Sequence, residues 1–231
     1  MLVVFSPRML HLGSIRGTSI DIDISFLILI AFFVISAYRP EEGWPYALLW
    51  ALVIFISVLI HELAHAGMIG LLGHGSSHVV LGGMGGVTIN DRRNAKAWHD
   101  MLISVAGPLA SFALFWITLR IEAGVPSAQK DPMLHALLPR LEWANLAWGI
   151  FNLLPVAPLD GGSVLRNFLR LFMADRIAFV ISVWIGMLTA LGAIVFFFRT
   201  GLFFAAILMA WFLVRNWQQW AYYRIHGYPG D

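Results

Sequence analysis

Long apolar runs recur along the whole chain, and they constrain its fold more than any other feature. A helix needs about 20 mainly apolar residues to cross a bilayer, where every backbone hydrogen bond must be satisfied internally. The composition agrees, since 59% of the 231 residues are hydrophobic and only 12% are charged. Six runs are candidate spans: 24–38, 44–73, 101–121, 137–154, 177–198 and 202–214.

We therefore expect residues 1–231 to form a single all-α, polytopic membrane domain with about six transmembrane helices. The first and last runs are short, so four or five true spans also fit the sequence. Lys and Arg are more numerous in the loops on the N-terminal side, and the positive-inside rule then places both termini in the cytoplasm. No short apolar run with a small-residue cleavage site precedes the first span, so we expect no removable signal peptide.

Two segments depart from the helical pattern. Residues 19–25 alternate Ile with Asp and Ser, and residues 79–89 contain G-G-M-G-G between β-branched residues. A period of two is typical of strands, and glycines are typical of tight turns. We expect strands or a small β-hairpin at the membrane surface, although a flexible turn would explain the glycines equally well.

Charge and cysteine content exclude several classes of site. The formal net charge is +2, and the basic residues lie between apolar runs and not in a basic tract, so nucleic acid is not an expected partner. The lipid bilayer is an expected partner. Cysteine is absent, so a metal ion would have to be bound by His, Asp or Glu.

The second apolar run contains the sequence His61-Glu62-Leu63-Ala64-His65. Residues four apart on a helix project from one face, so both imidazoles could share one metal ion, and Glu62 could reach a water molecule on it. Ionisable side chains are costly in a spanning helix and are rare there without a function. The structural alternative is a hydrogen-bonded His–Glu pair that only holds helices together.

A hydrolytic zinc site needs three protein ligands and a water molecule, so a third ligand is required. Asp160 is the best candidate, because it follows an interruption of the fourth run by Pro155 and Pro158. Irregular backbone at membrane depth is tolerated only where it is buried in protein or lines a cavity. Alternatively, Asp160 is the N-cap of a short helix near residues 163–172, and one carboxylate could serve both roles.

Three motifs together resemble the site-2 protease family of intramembrane metalloproteases. They are H-E-L-A-H at 61–65, G-P-L-A-S at 107–111 and N-L-L-P-V-A-P-L-D-G-G at 152–162. The resemblance covers roughly residues 54–165, and the size is similar to that of the compact sporulation-factor-processing branch. The small residues Gly107 and Ser111 are expected mainly to let helices pack closely.

The resemblance implies a zinc ion bound by His61, His65 and Asp160, with Glu62 as the general base. It also implies that Asn152 lies in the substrate or oxyanion environment. The glycine-rich stretch at 79–87 looks like the membrane-associated hairpin of the family, which would present the substrate in extended form.

The expected function is that of a zinc endopeptidase, with one zinc ion per chain, that cuts membrane-spanning proteins near the cytoplasmic side. A metal transporter would need polar residues through the whole membrane thickness. In the interiors of the first, fifth and sixth runs, however, the only polar residues are Ser and Thr. An inactive membrane scaffold would be expected to lack Glu62 or a ligand, and all four residues are present.

Overall fold

The computed structural model describes residues 9–90, 96–125 and 131–228. Within these residues the chain is mostly helical, with one small sheet. The strands are β1 Met9–Ile15, β2 Thr18–Asp23, β3 His78–Gly82 and β4 Gly85–Ile89. The helices are α1 Ile24–Ala37, α2 Trp44–Leu71, α3 Ala97–Gly124, α4 Pro132–Asn152, α5 Asp160–Arg170, α6 Asp175–Arg199 and α7 Phe203–His226.

Three of these helices, α2, α3 and α6, are long and apolar enough to cross a membrane. The shortest of them has 25 residues and is roughly 38 Å long, which exceeds the hydrocarbon thickness of about 30 Å. The fold is therefore that of a helical membrane protein. Helices α1, α4 and α7 overlap the other three predicted runs, and the six-span layout remains a prediction.

The sheet is larger than the predicted hairpin. Its strand order is β1-β2-β3-β4, with antiparallel pairs at both ends and a parallel pair, β2 and β3, in the middle. The sequence pattern indicated β2 and the β3–β4 hairpin but missed β1. The pairing register of β1 shifts between His11 and Gly13, and such a bulge interrupts the alternation that identifies a strand.

The chain divides into two compact units, residues 1–93 with 106–149 and residues 94–105 with 150–231. That the whole chain works as a single domain stays a prediction. In the first unit, the buried faces of β2 and β3 pack with residues of α1 and α2 in one apolar cluster. Its fully buried members include Phe26, Val58, Val79 and Leu81.

The start of α1 is tied to the tip of the β3–β4 hairpin. Asp23 is the N-cap of α1, and its carboxylate accepts a hydrogen bond from the Ser25 N–H at 2.8 Å. The Gly83 N–H in turn donates to Ser25 Oγ at 2.8 Å. Because a Cβ at Gly83 would lie 2.9 Å from the Ser25 Cβ, glycine is needed for this close approach.

In the second unit, α6 and α7 pack against the segment that joins α4 to α5. Val156, Leu159, Ala190, Met209 and Phe212 form its buried apolar cluster.

Asp21 of β2 bridges three neighbouring strands. His11 Nδ1 of β1 lies 2.6 Å from Asp21 Oδ1, and His78 Nε2 of β3 lies 2.6 Å from Asp21 Oδ2. Burial raises the pKa of Asp21, but the hydrogen bonds and attraction of the two histidines outweigh burial, so this pKa lies below its ordinary value of 3.8.

This lowered pKa predicts an acid-sensitive junction between β2 and β3. The contribution of Asp21 to stability is complete above the unfolded pKa and is lost as the pH falls through the lowered, folded value. Asp21→Asn should increase amide hydrogen exchange at Ile20 and Ile22 at pH 7. In the wild type this exchange should rise as the pH falls below about pH 4, and the rise should be smaller in Asp21→Asn. The control Asp175→Asn, in the second unit, should leave this exchange unchanged. An identical acid profile in Asp21→Asn would contradict the assignment.

Candidate metal centre

His61, Glu62 and His65 lie within little more than one turn of α2, and all three are buried, with exposed fractions of 2%, 5% and 7%. One candidate ligand atom from each residue lies within 4.8 Å of the others. The two imidazole rings meet edge to face, with centroids 4.8 Å apart. The structure therefore brings the three residues of the H-E-x-x-H motif together as a group that could hold a metal ion.

Gly107 of α3 faces both imidazoles. A Cβ at this position would lie 2.6 Å from His61 Nε2 and would also collide with His65 Nε2. The Nε2 atoms of the two histidines therefore converge on one place beside α3, and glycine keeps that place open. The sequence predicted close helix packing at Gly107, and the structure shows that the histidines are what it approaches.

Ser111, one helical turn after Gly107, orients the first histidine. Its side chain is fully buried, and its Oγ lies 3.1 Å from His61 Nδ1. When Nδ1 carries the proton and donates a hydrogen bond to Ser111 Oγ, Nε2 is the unprotonated nitrogen. This is the form in which imidazole binds a metal. The sequence predicted mainly a packing role for Ser111, because its spacing from Gly107 says nothing about His61.

Strand β4 contacts the Glu62 side chain directly. The Thr88 hydroxyl donates to Glu62 Oε2 at 2.7 Å and is 3.1 Å from the Glu62 backbone oxygen. A Cβ at Gly86 would lie 2.6 Å from Glu62 Cδ. Sequence reasoning missed this contact because alternation along a strand shows which residues share a face but not which helix they meet.

The predicted break in the fourth apolar run is confirmed. Helix α4 ends at Asn152, residues 153–159 are not helical, and α5 begins at Asp160. A Cβ at Gly162 would lie 2.7 Å from the Ala157 nitrogen, and one at Gly161 would collide with the backbone of residue 153. The paired glycines therefore let the first turn of α5 pack against the preceding loop.

The interpretation of Asp160 as an N-cap is wrong by one residue. Leu159 is the N-cap, with extended φ and ψ of −63° and 159°, whereas Asp160 lies in the first turn of α5. The helix starts earlier than predicted because Gly161 and Gly162 adopt helical conformation. A carboxylate in the first turn still interacts favourably with the helix dipole.

Asn216 of α7 was not identified from the sequence. Its side chain is fully buried, and its Nδ2 donates to the Ala157 oxygen at 2.7 Å, which fixes the loop before α5. Asn216 lies just beyond the sixth predicted run, 202–214, and follows Arg215, so no sequence pattern indicated that it would be buried. Asn152 and Asp160 belong to this second unit, and their roles in the metal centre stay predictions.

The fold and the histidine pair define a class, that of helical membrane proteins with a buried site suited to a metal ion. Comparison with known proteins then shows which family the chain is similar to. Residues 121–193 match the model of peptidase family M50. The solved structure of the site-2 protease from Methanocaldococcus jannaschii has the same fold, with a TM-score of 0.62 and 24% identity over 91% of this chain and 94% of that one.

Curated relatives extend the match. Zinc metalloprotease MJ0392 of Methanocaldococcus jannaschii is 30% identical over 161 residues, 69% of this chain and 45% of that protein. The relative sll0528 of Synechocystis sp. is 26% identical over 230 residues, 92% of this chain. The chain spans 59% and 45% of the lengths of these two proteins. The resemblance to the site-2 proteases is thus confirmed by the match to peptidase family M50, by the relatives and by the fold.

Zinc fits the residues present. Two imidazoles with convergent Nε2 atoms are typical zinc ligands, one of them is oriented through its other nitrogen, and Gly107 leaves space beside both. The relatives named zinc metalloprotease and the His-Glu-His group agree on zinc as the cofactor.

The space beside Gly107 predicts a sensitive position for metal binding. Gly107→Ala should lower zinc affinity about 10-fold or more, because the added methyl group displaces both Nε2 atoms. Isothermal titration of the metal-free protein measures this. Gly67→Ala and Gly70→Ala on α2 are matched controls, since a Cβ at either position meets nothing within 4 Å. Wild-type affinity in Gly107→Ala would show that the ion binds elsewhere.

Proposed function

We propose that this chain is a zinc-dependent intramembrane endopeptidase, which hydrolyses peptide bonds of membrane-spanning proteins near the cytoplasmic side of the bilayer. The observation that carries the proposal is the convergence of the two histidine Nε2 atoms beside Glu62, all at buried positions of an apolar helix. The match of residues 121–193 to peptidase family M50 and the relatives named zinc metalloprotease support it. They do not favour a metal transporter or an inactive scaffold.

His61, His65 and Asp160 are the proposed ligands of one zinc ion per chain. Three protein ligands leave one tetrahedral position for water or substrate, as a hydrolytic site requires. A bound zinc ion would polarise the scissile carbonyl and make a water molecule more acidic. The chain contributes the orientation of the ligands, and Ser111 does this for His61.

Glu62 is the proposed general base. It takes the proton of the attacking water and returns it to the leaving amine, so that neither step releases a strong acid or base into the apolar site. Asn152 is proposed to hydrogen-bond the substrate or the developing oxyanion, a contact worth up to a few kcal/mol at such positions.

The proposed topology has six spans and both termini in the cytoplasm. Helix α2 then runs inward from Trp44, and its rise of about 1.5 Å per residue places His61 roughly 25 Å along it. In a hydrocarbon core of about 30 Å, the site lies toward the cytoplasmic face.

The proposed substrate class follows from the shielding of helical peptide bonds. A carbonyl inside a transmembrane helix is hydrogen-bonded and surrounded by side chains, so the scissile segment must unwind before attack. Substrates should therefore carry helix-weakening residues near the cytoplasmic side. The β3–β4 hairpin is proposed to be membrane-associated and to present this segment in extended form.

Glu62→Gln separates proton transfer from metal binding. This variant should keep about one zinc ion per chain and lose cleavage by about 100-fold or more, because Gln cannot accept the proton. Cleavage of single-span proteins with weakened helices, in liposomes, is the measurement. Glu42→Gln, at a half-exposed glutamate outside the motif, is the control and should cleave normally. Near wild-type cleavage by Glu62→Gln would rule out the proposed mechanism.

Asp160→Asn tests the third ligand. The substitution replaces an anionic ligand by a weak neutral one, so zinc affinity and cleavage should both fall by about 10-fold or more. Asp175→Asn is a matched control, since Asp175 also lies in the first turn of a helix, and it should leave both quantities unchanged. If Asp160→Asn bound zinc and cleaved like the wild type, another residue would have to be the third ligand.

A further inference from the structure

Strand β4 presents two residues to Glu62 from one face. Residues two apart on a strand point to the same side, and Gly86 and Thr88 are such a pair. Gly86 lies so close to Glu62 that a Cβ there would be 2.6 Å from Oε1. Thr88 supplies a hydroxyl to the other carboxylate oxygen, Oε2, at 2.7 Å.

We infer that Thr88 is a positioning residue for the reaction: its hydroxyl holds the carboxylate of Glu62 in the orientation that proton transfer requires. This inference rests on the proposed proteolytic function. A carboxylate on a long side chain rotates readily about its last bonds, and loss of orientation by about 1 Å can cost about 100-fold in rate. A strong hydrogen bond to Oε2 fixes that rotation, while Gly86 gives the carboxylate the room to lie against the strand.

The strand that carries Thr88 is itself held in place. Thr88 pairs with Val79 of β3, which is fully buried in the apolar cluster of the first unit. At the hairpin tip, the Gly83 N–H donates a hydrogen bond to Ser25 Oγ, and a Cβ at Gly85 would lie 2.7 Å from the Trp148 ring. Strand β4 therefore holds the Thr88 hydroxyl in a fixed position next to Glu62.

The Thr88 hydroxyl contacts Glu62 at two atoms: it donates to Oε2 at 2.7 Å and lies 3.1 Å from the backbone oxygen. Valine has the same shape and suits a strand equally well, so the hydroxyl is the feature that the contact with Glu62 uses. Thr118 of α3 offers a comparison in another element, because it is more buried than Thr88, with 3% exposed, and its hydroxyl donates to Leu114 O within its own helix at 2.9 Å.

The experiment compares Thr88→Val, Thr88→Ser and Thr118→Val in the zinc-loaded, full-length protein. Thr88→Val should lower kcat about 10- to 100-fold, with KM changed less than about 3-fold and zinc content unchanged. Thr88→Ser, which keeps the hydroxyl, should retain kcat within about 3-fold. Thr118→Val should match the wild type.

A second readout does not depend on activity. The infrared carboxylate band of Glu62 is obtained as the difference between the wild type and Glu62→Gln. This band should shift in Thr88→Val, because the hydrogen bond to Oε2 is lost, and should keep its position in Thr88→Ser and Thr118→Val.

The inference is overturned if the band and kcat of Thr88→Val both equal those of the wild type, in which case the protease function stands. It is also overturned if Thr88→Val and Thr88→Ser lose kcat equally, since the role is then structural. If the wild type shows no zinc-dependent cleavage while the band shifts as described, the proposed function fails and the hold of Thr88 on Glu62 is upheld.

Discussion

The structure depends on keeping three ionisable side chains inside an apolar helix. A buried polar group without a partner costs several kcal/mol, so His61, Glu62 and His65 can stay there only if their surroundings supply hydrogen bonds or a metal ion. Ser111 of α3 is the hydrogen-bond partner of His61, and Thr88 of β4 donates a hydrogen bond to Glu62. The packing of α3 and β4 against α2 therefore supplies the hydrogen-bond partners that these buried side chains require.

Glycine makes these contacts feasible at two positions. Gly107 brings α3 against the histidine Nε2 atoms, and Gly86 brings β4 against the glutamate side chain. A strand that contacts a buried carboxylate must also be anchored, because its register decides which side chain meets the carboxylate. The parallel pair of β2 with β3 and the link from Ser25 to Gly83 provide this anchoring.

Features set by local periodicity were predictable from the sequence. The spacing of His61 and His65 fixes their common face, and two prolines predicted the end of α4 before Asp160. Long-range docking was not predictable: the parallel pairing of β2 with β3 joins residues far apart in the chain. The short helix starts at Asp160 and not near residue 163, because Gly161 and Gly162 adopt helical conformation against their usual preference.

The central claim is that the two histidines of α2 bind zinc together in a site of mixed nitrogen and oxygen ligands. Zinc K-edge X-ray absorption of the purified protein in nanodiscs tests it most directly, because imidazole rings give characteristic multiple scattering. The account predicts two imidazoles at about 2.0–2.1 Å, completed by oxygen ligands, and loss of this signature in His65→Ala. A spectrum with more than two imidazoles, or one that is unchanged in His65→Ala, would contradict it.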